Sequence, residues 1–221
     1  MMINSTWKRP TRLSIEDDSG DASNNGMVPI FLNTSPDNYQ PPTGIRIVEN
    51  KIFFYGDITI EACLELNRIL VEIDLKLQNN QNSLGASIFT PIIELHINTD
   101  GGCIFAAFST VDTIRNIKSK VYTYVDGMVA SAGTLIIGIG AKRYIGKHSH
   151  MLIHQLSSES YGKFSEIEDH FLNVTNLMKC LKDFYKKTTK IPMKRLDDLM
   201  KKDIFLNAEE CLTFGIVDEI R

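Results

Sequence analysis

From residue 45 onward, short β-branched and aromatic runs alternate with longer stretches whose apolar residues recur at helical spacing. That alternation is the pattern of an α/β domain, in which strands gather into one sheet and helices cover it. Residues 45–55 read as strand, stopped by Gly56-Asp57. Residues 59–77 place Ile60, Cys63, Leu64, Ile69, Leu70, Ile73 and Leu77 at helical spacing, and residues 78–87 read as a polar loop. A buried strand over 92–97 leads to Gly101-Gly102 and a helix reaching about residue 117. Residues 121–125 form the next strand, and Gly127 opens a tight turn into an apolar helix that starts near Ser131. Short strands at 143–145 and 151–153 precede a long amphipathic helix marked by Phe164, Ile167, Phe171, Val174, Leu177, Leu181 and Phe184. Asn207 with Glu210 three residues later forms a capping box, and Gly215 suits a helix stop.

The first 44 residues break this pattern. They are rich in Asn, Ser, Asp, Pro and Gly, and only residues 28–32 suggest a strand. They read as a mobile or partner-dependent arm ahead of one folded domain over 45–221. Charge and cysteine usage narrow the function classes. A net charge of -3 without a basic stripe argues against nucleic acid. The most apolar run, residues 134–140, is too short to span a bilayer. Cys63, Cys103, Cys180 and Cys211 form no CxxC pair, so they read as buried free thiols in a reduced, cytoplasmic compartment and not as a zinc site.

Four segments carry residue types that chemistry uses. In Gly127-Met128-Val129-Ala130-Ser131-Ala132-Gly133, a serine follows a strand and turn at a helix start, where amides and the positive dipole end are available. Val129 stands where the nucleophile elbow G-x-S-x-G needs its first glycine, and a serine in this setting is also an ordinary N-cap. Asn98-Thr99-Asp100-Gly101-Gly102 ends a buried strand, where open α/β sheets place ligands and where an amide can face a developing oxyanion. His154 closes a short apolar strand and can serve as general base toward a serine. Asp203 precedes an apolar step and a helix cap, a place from which a carboxylate can orient a histidine. His96, His148, His150 and His170 read as structural or exposed.

Taken together, and in the order Ser, His, Asp, these segments resemble the proteolytic subunit of the Clp protease, the ClpP family of serine endopeptidases. The matching stretches are Gly101-Gly102, Gly127 to Ser131, Met151-Leu152-Ile153-His154-Gln155, and Asp203-Ile204-Phe205-Leu206-Asn207-Ala208-Glu209-Glu210. Phe214-Gly215-Ile216-Val217-Asp218 is similar to the family's Tyr-Gly-Leu-Val-Asp, and the likeness covers roughly residues 50–220. It implies a ClpP/crotonase-like spiral of ββα units with a protruding handle helix, here about residues 164–187. It implies Ser131 as nucleophile, His154 as base, Asp203 as orienting acid, and the amides of Gly102 and Ala132 as oxyanion hole. Substrate would pair as an added strand near Gly162 and Gly101.

The resemblance further implies polypeptide substrates, a homo-oligomer of two stacked rings (heteromeric rings being an alternative), and a Clp-type AAA+ unfoldase. No metal or organic cofactor is implied for this subunit; ATP would be used only by the partner. Four features depart from the family: residues 1–44 are longer than its axial segment, the loop over residues 79–90 is longer than usual, Asp100 replaces a proline, and Lys202 replaces an arginine that makes ring-to-ring ion pairs. The alternative readings are a phage prohead protease of the same fold, a noncatalytic ring subunit, and a crotonase-class acyl-CoA enzyme.

Overall fold

A computed structural model describes residues 44–84 and 90–221. The arm over residues 1–43, with its expected strand at 28–32, lies outside the described residues; Gly44, the last residue of the expected arm, opens the first strand. The elements run β1 (Gly44–Val48), β2 (Lys51–Tyr55), α1 (Ile60–Leu84), β3 (Ile92–Thr99), α2 (Ile104–Asn116), β4 (Lys120–Ala130), α3 (Gly133–Gly138), β5 (Lys142–Ile145), β6 (His150–Leu152), α4 (Phe164–Thr188), α5 (Met193–Met200), α6 (Ala208–Thr213) and β7 (Glu219–Ile220). The sheet order is β1-β2-β3-β4-β5-β7, with β6 paired to β4 beyond the point where β5 ends. β1 and β2 are antiparallel; every other pair is parallel. The α/β class and the ββα units are as the sequence implied.

Strand β3 shows why the sheet sits where it does. Ile93, Leu95 and Ile97 are fully buried, and the alternate residues Glu94, His96 and Asn98 are half-buried on the other face. The apolar face packs under α1 and α2, which contribute Leu66, Leu70, Ala107 and Val111 to the core. The opposite face carries a ladder of stacked rings, Phe53, His96, Tyr124 and Tyr144, with centroids 4.3–4.7 Å apart. His96 is held there by Asp126, 2.9 Å from its Nδ1.

Four local expectations change. Residues 45–55 form a hairpin and not a single strand, because Glu49 takes φ 57° and the chain reverses, pairing Val48 with Lys51. Helix α1 runs through the expected polar loop to Leu84. No Gly or Pro interrupts residues 78–84, and Gln78 stays helical while its amide donates to Ser119 Oγ at 3.3 Å. Gly127 does not end β4. It sits inside the strand at φ 74°, where the register with β3 shifts between Ile97–Val125 and Thr99–Val129, which is the usual work of a strand glycine at a bulge. The thiols are not all buried: Cys180 is exposed on α4 and Cys103 is half-buried.

Helix α4 buries only its C-terminal part. Leu181, Phe184 and Tyr185 are core residues, whereas Phe164, Ile167, Phe171 and Leu172 are exposed along its first half. The helix therefore projects from the domain, as a handle does. Helix α5 and strand β7 carry no expectation from sequence; α5 is anchored by Leu196, Leu199 and Met200. Asn207 caps α6 as expected, with its Oδ1 accepting from Glu210 N at 2.9 Å and Glu210 Oε2 accepting from Asn207 N at 3.0 Å. Gly215 at φ 61° closes the same helix, with Ile216 N donating to Cys211 O at 2.9 Å. Among the described residues, no helix is long and apolar enough to cross a membrane.

Candidate active site

Three parallel strand ends converge on one edge of the sheet. β3 delivers Gly101-Gly102, β4 delivers Ser131 one residue after its end, and β6 delivers His154. This is where α/β sheets place ligands, because the chain leaves each strand there with its next amides exposed to a crevice. One pocket at this edge is lined by Gly102, Ser131, Ala132 and His154, together with the exposed Ser157 and the buried Tyr185.

Ser131 adopts φ 53°, in the left-handed region that non-glycine residues enter only under constraint. The constraint is visible. Its N–H donates to Leu152 O at 2.8 Å, which ties it to β6. Its carbonyl accepts from Thr134 N at 3.0 Å and from Thr134 Oγ1 at 2.6 Å. Thr134 Oγ1 in turn lies 2.6 Å from the hydroxyl of Tyr185, on α4. Thr134 spends its one hydroxyl proton on Ser131 O, so Tyr185 is the donor in this pair, and burial pushes its phenol up to about 12. The short helix α3 therefore begins after a serine turned sharply out of the strand. The sequence lacks the glycine pattern of a nucleophile elbow, yet the backbone makes the same kind of turn.

The glycines are fixed by neighbours. A Cβ on Gly101, at φ 104°, would stand 2.6 Å from Ser131 Cβ; one on Gly102, at φ 143°, would collide with the carbonyl oxygen of Ile58. Thr99 Oγ1 accepts from Gly101 N at 3.0 Å and holds the loop.

Asp203 reaches His154 through a pairing that no local pattern announces. Leu206 N donates to Met151 O at 2.7 Å and Met151 N to Leu206 O at 2.9 Å, an antiparallel bridge. Continuing that register three residues in each direction sets Asp203 opposite His154. Asp203 Oδ1 lies 3.2 Å from His154 Nδ1. His154 Nε2 is buried without a hydrogen-bond partner, and Ser131 shares the pocket wall with it. No other histidine lines this pocket. Gly162 and Gly101 do not line this pocket: Gly162 lies just ahead of α4, and Gly101 packs against Ser131.

The profile of the Clp protease family matches residues 75–221. The chain belongs to that family. It is also similar to the ATP-dependent Clp protease proteolytic subunit 2 of Chlamydia muridarum (strain MoPn / Nigg), at 34% identity over 133 residues, covering 59% of this chain. The match spans 66% of that relative's length. The α/β spiral with its projecting helix α4 is accordingly the Clp protease fold.

Sequence reading missed Thr134, Tyr185 and Ser157. A signal existed for Tyr185: it is the polar member of the buried trio on α4, and a buried hydroxyl needs a partner. Nothing local marked Ser157. Among the described residues, no group of three or more His, Cys, Asp or Glu side chains is placed to hold a metal ion.

Proposed function

We propose that this chain is a serine-type endopeptidase subunit that hydrolyses peptide bonds of unfolded polypeptides within an oligomeric chamber. The observation that carries the reading is the meeting of His154 with Asp203 at 3.2 Å on the pocket that also exposes Ser131. Asp203 holds the tautomer with hydrogen on Nδ1, leaving Nε2 as the base. His154 Nε2 takes the Ser131 proton as Oγ attacks the substrate carbonyl. The tetrahedral oxyanion is received by the backbone amides of Gly102 and Ala132. Protonated His154 then delivers its proton to the leaving amine, and water, activated by the same imidazole, hydrolyses the acyl-enzyme. Ser131 and His154 are not hydrogen-bonded in the isolated chain, and such contacts commonly tighten only in the substrate-bound state.

The exposed apolar stripe of α4, Phe164, Ile167, Phe171 and Leu172, supports assembly into two stacked rings, since a projecting apolar helix face needs a partner surface. A Clp-type AAA+ unfoldase supplies unfolded chains and consumes ATP; this subunit needs no cofactor of its own. The substrate lies as an added strand along the segment leading to Gly162, with Gly101 giving clearance beside Ser131. The setting is cytoplasmic.

Labelling the assembled protein with a fluorophosphonate, mapped by mass spectrometry, tests the reading. An adduct on Ser131 that is lost in His154→Ala is expected. An assembled particle that takes no adduct overturns it in favour of a noncatalytic ring subunit.

A further inference from the structure

We propose that Ser158 and His170 form a clip that fixes residues 155–158 as the peptide-binding edge of the catalytic pocket, making both of them positioning residues for an extended polypeptide. The inference rests on the peptidase reading of Ser131.

Residues 153–161 have no regular secondary structure, yet Gln155, Leu156 and Ser157 line the pocket. An edge that receives a substrate backbone must hold its shape, because every residue it orders on binding costs affinity. Three bonds hold this one. Gln155 N donates to Met200 O at 2.8 Å and Leu156 N to Met178 Sδ at 3.3 Å. Ser158 Oγ lies 2.7 Å from His170 Nε2 on α4.

Burial shows what the third bond does. Along 154–159, half-buried His154, Leu156 and Ser158 alternate with exposed Gln155, Ser157 and Glu159, the period of an extended chain with one face on the domain. From residue 159 through 169 every side chain is exposed, with Tyr161 fully so. Ser158 is the last half-buried residue before that stretch and His170 the first after it. Their bond closes this exposed stretch, which runs from the loop into the first turns of α4, at its base. Without it, the nearest upstream anchor is Leu156, and Ser157 loses its fixed place on the pocket wall. The bond survives either charge state of His170: the serine hydroxyl donates to Nε2 of one neutral tautomer and accepts from N–H in the others.

Steady-state kinetics on the assembled protein test this, comparing a peptide with four or more residues before the scissile bond and an N-acetylated single-residue ester. For the peptide, Ser158→Ala and His170→Ala are each expected to raise KM by about three- to tenfold with kcat within about twofold. The double variant is expected to be no worse than either single one. Ser158→Thr, which keeps the hydroxyl, is expected to restore the peptide KM. The ester reports Ser131 without using the edge, and its kinetic constants are expected to move within about twofold. An unchanged peptide KM in both single variants overturns the clip while leaving the peptidase reading intact. Additive losses in the double variant, or equal losses on ester and peptide, also overturn it, because they indicate a general structural role. Wild-type protein that neither labels on Ser131 nor cleaves peptide overturns both readings.

Discussion

His154 and Asp203 meet because Met151 and Leu206 exchange two backbone hydrogen bonds, so the geometry of the candidate dyad is set by main chain three residues away from each partner. The Asp203 side chain is 61% exposed. Asp203→Asn is therefore expected to leave the melting temperature unchanged while lowering peptide kcat by roughly four orders of magnitude, the loss that follows when a histidine is held in the wrong tautomer. Paired calorimetry and kinetics on the assembled protein check this, and a loss below tenfold would show that Asp203 does not orient His154.

Gly101 leaves no room for a side chain beside Ser131. Gly101→Ala places a Cβ 2.6 Å from Ser131 Cβ and forces a strained φ. We expect destabilisation of about 1–3 kcal/mol and loss of fluorophosphonate labelling, because the serine must shift. Denaturant titration and labelling of the same preparation measure the two effects. Wild-type labelling in a folded Gly101→Ala protein would contradict the close packing of this turn.

The hydroxyl pair behind Ser131 makes an asymmetric prediction. Tyr185 donates to Thr134, which donates to Ser131 O. Tyr185→Phe removes a donor whose loss leaves Thr134 bonded, and is expected to cost about 0.5–1.5 kcal/mol. Thr134→Val strands the buried Tyr185 hydroxyl, and is expected to cost about 1–3 kcal/mol. Urea unfolding of the two variants decides; equal costs would mean that Tyr185 finds another acceptor.

Asp74 provides the acid dependence. Burial of this side chain favours its neutral form, but bonds from Ser119 N at 2.7 Å and Lys118 N at 3.3 Å, together with the side chains of Ser119 and Gln78, outweigh it and hold the carboxyl below the usual range. A folded-state pKa below the unfolded one gives stability that is fully present above about pH 4 and is lost as pH falls through the folded value. Asp74→Ala is expected to cost about 1.5–3 kcal/mol at pH 7 and progressively less towards pH 3. Unfolding free energies of both proteins across that range test the sign.

Much of the site was legible in the sequence because each piece is local. The strand that ends in Gly101-Gly102, the serine after a strand, the histidine closing a short apolar run and the Asn207–Glu210 cap all depend on neighbours a few residues away. Periodicity likewise fixed α2 and α4 to within a few residues, since their apolar faces repeat along the chain. The first hairpin was not legible, because its turn rests on one left-handed Glu49 that the residue type does not announce.

The sequence by itself determined the α/β class and the order of the chemical residues, which local propensity and spacing carry, and the likeness to the Clp protease family, which the matching motifs carry and which in turn implied the projecting helix. Only the tertiary structure decided that Ser131 is left-handed, that Gly127 bends β4 so that its end pairs with β6, that Asp203 falls opposite His154, and that Ser158 meets His170. Each of these joins segments distant in the chain through hydrogen bonds whose register only the packed sheet and helices can set. A short polar side chain has the same local preferences whether or not its partner arrives, so its role is fixed by packing.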